Sequence, residues 1–129
     1  MKKFVAILLM WVISILVFAD QASLSKDAFR LRSESLAYEM GKTFQLAKNC
    51  GQDMPNISVS RATALFMNYY RKHEVKVIMA HYKFSASQEK GKSCNRRNVE
   101  FHRLMQKMGT YIRLAAPFSK NINRPSHQE

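Results

Sequence analysis

The sequence has no Gly-x-Gly-x-x-Gly run, no Gly-x-x-x-x-Gly-Lys-Ser/Thr loop, no Gly-x-Ser-x-Gly turn and no His-Glu-x-x-His helix. Each of these motifs works only with its glycines or histidines at fixed spacing, so nucleotide cradles, nucleophile elbows and helical zinc sites are not indicated. Cys-x-x-Cys is also missing, which removes the usual thiol-exchange arrangement. Asn-Gly and Asp-Gly turns are absent, and Val75-Lys76-Val77 is the only brief alternation, so no strand or hairpin is expected. Acidic residues are scarce: 9 Asp and Glu face 21 Lys and Arg, a formal net charge of +12.

The basic excess is uneven. From residue 90 to the end the only acids are Glu100 and Glu129. A single-sign field of this kind favours an anionic partner, whether acidic protein, lipid phosphate, wall polymer or nucleic acid. Nucleic acid is disfavoured because no nucleic-acid-binding motif is present and the chain reads as exported. That reading rests on the first residues. Lys2 and Lys3 precede an apolar run from Phe4 to Phe18, and Val17-Phe18-Ala19 places small residues where a signal peptidase cuts. The expectation is a cleavable signal over residues 1–19 and a periplasmic or secreted protein of a bacterial envelope. The alternative is a retained anchor, although the run of about 15 residues falls short of the roughly 20 that span a bilayer.

Two cysteines, Cys50 and Cys94, fall in the exported part. In an oxidising compartment they read as one intramolecular disulfide, and the chain-entropy model assigns a loop of this size roughly 4 kcal/mol.

Helix punctuation and periodicity define the rest. A first helix runs from Ser25 to Cys50, stopped by Gly51, with Phe29, Leu36, Met40, Phe44 and Ala47 on one face. A second starts at Ser58 or Ser60 and carries Ala62, Leu65, Phe66, Tyr69 and His73. A third spans Glu74 to Lys90 before Gly91, with Val75, Ile78, Met79, Tyr82 and Ala86 inward. Asn95 reads as the N-cap of a fourth, in which Phe101, Met105, Met108, Ile112 and Ala115 share a face and Pro117 ends the run. The fold expected is all-α: one domain over residues 20–117, a three- to four-helix bundle with a Cys50–Cys94 disulfide, followed by a polar tail over residues 118–129.

Candidate chemistry is weak against this background. His73 and His81 lie eight positions apart, about 12 Å along one helix, too far to share an ion. His73 is expected to cover the core edge at the end of the second helix, with its charge toward the last carbonyls, and His81 to sit at a core boundary. His102 and His127 have no partners at metal-ligand spacing. Glu34 and Glu39 are about 140° apart around a helix and make no catalytic pair. Met40, Met79, Met105 and Met108 read as core filler. No catalytic residue, metal or cofactor is assigned, and a small hydrolase ranks third among the functions considered.

The distinctive surface feature is a cationic ridge of Lys90, Lys92, Arg96, Arg97, Arg103 and Lys107, beside the disulfide and along the fourth helix. It suits an acidic protein partner, for which the chain would be an inhibitor, adaptor, immunity or secretion accessory protein; the alternative is anionic lipid or wall polymer. One check of the leader follows directly. The single tryptophan is Trp11, inside the expected signal. The mature protein purified from its native source should therefore show tyrosine but no tryptophan emission, and tryptophan emission would show that the leader is retained.

Overall fold

The architecture is taken from a computed structural model that describes residues 24–119. The expected signal lies outside the described residues, as does the tail beyond residue 119. The described part is all-helical, as the periodicity implies. Helix α1 covers Lys26–Asn49, α2 Val59–Met67, α3 Lys72–Glu89 and α4 Phe101–Ala115, with single 3-10 turns at Pro55–Ile57, Arg96–Asn98 and Ala116–Phe118.

The ends of these helices follow from their residues. Ser25 Oγ accepts from the Ala28 amide at 3.1 Å, and Asp27 and Lys48 lie in the first and last turns of α1, where their charges oppose the helix dipole. Gly51 takes φ +72, a left-handed setting that lets the Gly51 and Gln52 amides bond back to the Lys48 and Ala47 carbonyls at 2.9 Å. Ser58 caps α2. In α3 the Glu74 carboxylate accepts from the Arg71 amide at 3.3 Å, which fixes the helix start before His73.

The chain therefore turns earlier than the apolar stripe suggests. Helix α2 stops at Met67, Tyr69 and Tyr70 occupy the connection, and His73 lies exposed in the first turn of α3 rather than at the end of α2. Asn95 caps the 3-10 turn, accepting from the Arg97 amide at 3.2 Å, and α4 begins only at Phe101. The face of α4 is also rotated from the expected one. Leu104, Tyr111 and Ala115 are buried, whereas Met105 and Ile112 remain 39% and 48% exposed. In this orientation the Tyr111 hydroxyl finds a partner in the interior.

That partner is Ser33. Its hydroxyl donates to the Phe29 carbonyl at 2.9 Å and lies 2.7 Å from the Tyr111 hydroxyl and 2.9 Å from that of Tyr70. A serine has one proton and two lone pairs, so both tyrosines donate to it and every position is filled. The node joins α1, the α2–α3 connection and α4. Around it Phe29 stacks on Phe118 at 4.4 Å between centroids, on Tyr111 at 5.1 Å and on Tyr70 at 5.7 Å. Phe118, which the sequence reading assigns to the tail, is thus packed against the core.

Helices α1 and α3 form the principal pair. Their backbones meet at Gly41, which faces Tyr82 and Ser85, and Ser85 Oγ donates to the Tyr38 carbonyl at 2.6 Å. The far ends of α1 and α3 are tied by the Cys50–Cys94 disulfide, with Cα atoms 4.6 Å apart, and by Asn49, whose amide donates to the Glu89 carbonyl at 2.8 Å.

Two measurements test this core. A β-carbon at residue 41 would lie 2.2 Å from the Tyr82 carbonyl oxygen, so Gly41→Ala must push two backbones apart. The substitution should destabilise by about 1–3 kcal/mol despite the roughly 1 kcal/mol that alanine contributes to a helix. Chemical denaturation followed by circular dichroism measures it, and an unchanged or raised midpoint would contradict the close approach. The second test is alkaline pH. Burial pushes the phenols of Tyr82 and Tyr111 well above their ordinary value, and those of Tyr69 and Tyr70 upward as well. The folded chain then holds these protons more tightly than the unfolded chain, whose tyrosines ionise near about pH 10. Stability should be full below that pH and fall as pH rises above it. Denaturation midpoints across this range, with phenolate absorbance read in parallel, give the slope; a flat profile would contradict the buried phenols.

Candidate interaction surfaces

His73 and His81 lie on the same helix, α3, so their axial separation of about 12 Å applies. His81 is half-buried with Nε2 3.4 Å from Glu34 Oε2. Glu34 also binds Arg30 Nε at 3.1 Å, and Arg30 reaches Glu74 at 3.2 Å while lying 5.4 Å from the Tyr70 ring centroid. This chain of charges crosses from α1 to α3 and acts as a surface staple. His102 is exposed on α4, and His127 lies outside the described residues. Among the described residues no three His, Cys, Asp or Glu side chains are grouped to hold a metal ion. The Ser33 node is sealed in the core, with its hydrogen bonds complete.

The six cations of the sequence ridge separate into two groups. Lys92 pairs with Glu89 at 3.1 Å, Arg103 with Glu100 at 3.3 Å, and Lys107 with Glu39 of α1. These three, with Lys42, surround a cleft of about 600 Å³ beneath α1 and α4, where Glu39, Glu89 and Glu100 supply the opposite sign. Lys90, Arg96 and Arg97 stand exposed without a carboxylate partner among the described residues. Arg96 belongs to the 3-10 turn, so no single line of charge runs from it through Arg103 to Lys107. Glu39 and Lys42 enter this cleft only through the α1–α4 packing, which periodicity within one helix does not report.

A second surface escaped sequence reading entirely. Between α2 and α3 lies a groove of about 530 Å³ whose apolar lining comes from Val59 and Met67 on one wall and Val75 and Met79 on the other. Val59 and Met67 are 44% and 48% exposed. Lys72, Lys76 and Lys83 stand along its α3 side with His73 at one end, and no Asp or Glu lines it. The spacing that would have shown it is i, i+4, i+11 for the lysines on α3 and i, i+4, i+8 for Val59, Thr63 and Met67 on α2. Each set keeps to one side of its helix.

All five glutamates among the described residues are engaged in ion pairs: Glu34, Glu39, Glu74, Glu89 and Glu100. Asp27 and Asp53 are the described acids outside these pairs, so the unmatched charge facing outward is mostly cationic. No helix among the described residues is long and apolar enough to cross a membrane. Compared with known proteins, the chain matches no family model, no curated protein and no solved structure.

Proposed function

We propose that this chain is an exported, non-catalytic interaction protein that binds an acidic protein partner, as an inhibitor, adaptor, immunity or secretion accessory protein. The observation that carries this reading is the internal use of the glutamates. With all five described glutamates paired within the chain, the excess of lysine and arginine is left to steer an anionic partner toward the surface. The disulfide supports an oxidising compartment, in keeping with the leader read from the first residues.

A protein is favoured over a lipid or wall polymer for a physical reason. Polyanion binding sums evenly spread charge, but three of the six ridge cations are held by internal carboxylates and contribute little to a continuous field. Free charge instead occurs beside apolar surface, the composition of a docked protein interface.

Chemical crosslinking in envelope extract, followed by reconstitution with the purified captured protein, tests the reading. Raising salt from about 0.01 to about 0.15 M shortens the Debye length from about 30 to about 8 Å. A stoichiometric complex with an acidic protein that persists across this range is the expected result. Capture of lipid or wall polymer alone, lost over the same range, would replace it with the charge-summing alternative.

A further inference from the structure

The geometry points to the α2–α3 groove as the docking site for an acidic amphipathic helix of the partner, an inference that rests on the reading above and names its site. Three features converge. The groove is open and apolar, so an occupant must bring apolar side chains. Its polar boundary carries Lys72, Lys76, Lys83 and His73 with no carboxylate, so the occupant's flanks must be acidic. Met67, 48% exposed on the α2 wall, is flexible and polarizable, as suits a surface that shapes itself to side chains of several sizes, while the buried Met79 backs the groove from α3.

The form of the occupant follows by elimination among the common modes of peptide recognition. Strand addition needs an exposed sheet edge, and the described residues form no strand. A polyproline segment needs an aromatic-lined groove, and no aromatic residue lines this one. Helix-in-groove binding needs a groove between two helical walls with apolar lining, and Val59, Met67, Val75 and Met79 supply that lining between α2 and α3. Val59 to Met67 run about 12 Å along α2 and Lys72 to Lys83 about 16 Å along α3, at 1.5 Å per residue. The site thus accommodates two to three turns of helix. Apolar residues at i, i+4 and i+7 of the occupant would enter between Val59, Met67 and Met79, and glutamates or aspartates on the adjoining face would meet Lys76 and Lys83.

The groove is distinct from the mixed-charge cleft beside α4, where Lys92, Arg103 and Lys107 are already paired with carboxylates. Rigid-body placement of the walls also favours binding. Tyr82 Oη donates to the Ile57 carbonyl at 2.6 Å, which holds the entry to α2 on α3. Tyr70, just past the end of α2, is held by Ser33. Both ends of the shorter wall are fixed before any partner arrives, so little ordering is left for the complex.

The test uses the full chain and a synthetic peptide with leucines at i, i+4 and i+7 and glutamates on the flanking face. A scrambled peptide of identical composition and phosphatidylglycerol vesicles serve as comparisons. In nuclear magnetic resonance titrations the patterned peptide should shift the methyl signals of Met67 and Met79 and become helical, whereas the scrambled peptide should not. Lys76→Glu with Lys83→Glu should weaken binding by about tenfold or more, and Lys76→Arg with Lys83→Arg should leave it within about twofold. Because the reversed residues are exposed, folding is expected to persist; Met67→Glu, also at an exposed position, gives an independent loss of binding.

Equal binding of the scrambled peptide, indifference to charge reversal, or methyl shifts with the vesicles alone would each overturn the assignment. The captured acidic partner separates the two levels of inference. If its binding is unchanged by Lys76→Glu with Lys83→Glu, the groove assignment fails and the proposed function stands. If no acidic protein is captured, both fail.

Discussion

The missing side chain at Gly41 sets the spacing on which the rest of the bundle depends. A β-carbon there would lie 2.2 Å from the Tyr82 carbonyl oxygen and 2.6 Å from Ser85 Oγ, so α1 and α3 cross with backbones nearly touching. That contact lets Ser85 bond across to the Tyr38 carbonyl and places Arg30, Glu34, His81 and Glu74 within ion-pairing reach on one side. It also brings the Asn49 amide to the Glu89 carbonyl beside the disulfide. Helices α2 and α4 are then arranged around an existing pair. Interiors are close-packed, and a shift of one helix in such a pair would be transmitted to both neighbours.

Much of this was legible in the residues, and the failures have specific causes. The all-helical class, the four helices and the Cys50–Cys94 pairing follow from stop signals at Gly51 and Gly91, apolar periodicity and an even cysteine count. The faces were harder. Helix α4 has apolar residues over a wide arc from Tyr111 to Met105, with Phe101 and Met108 between them, and the expected face takes the side that holds Met105 and Ile112. The structure turns instead toward Tyr111, because Ser33 offers its hydroxyl a hydrogen bond in the interior. A buried serine on α1 and a tyrosine on α4 share no local pattern, so a choice made by a polar pair 78 positions apart in the chain cannot be read from one helix. His73 was displaced for a local reason: Glu74 bonds the Arg71 amide and starts α3 earlier than the stripe of α2 implies.

The surface was legible in amount and not in arrangement. Composition shows the excess of positive charge, but it does not show which cations are matched. Lys107 meets Glu39 across helices, while Lys92 and Arg103 meet nearby acids within their own segments. An exposed pair of this kind contributes only about 0–1 kcal/mol to stability, yet it changes the local field by nearly a full charge. Electrostatic matching of weak energetic value thus decides which part of a basic protein presents free charge. Here it quiets half of the ridge near the disulfide and leaves the α3 lysines beside apolar surface.

The polar atoms of the core connect this surface to the fold. Tyr82 is almost wholly buried, yet its hydroxyl reaches the Ile57 carbonyl and anchors the turn before α2. Tyr70 and Tyr111 meet on Ser33, which fixes the chain just beyond α2 and the orientation of α4 together. Apolar packing alone would permit α2 to slide along α3, since dispersion and hydrophobic burial have little directional preference. Hydrogen bonds in a low-dielectric interior are directional and costly to break. A small number of tyrosine hydroxyls therefore converts a loosely specified helical pair into a groove of defined width, and the lysines of α3 inherit fixed positions along it.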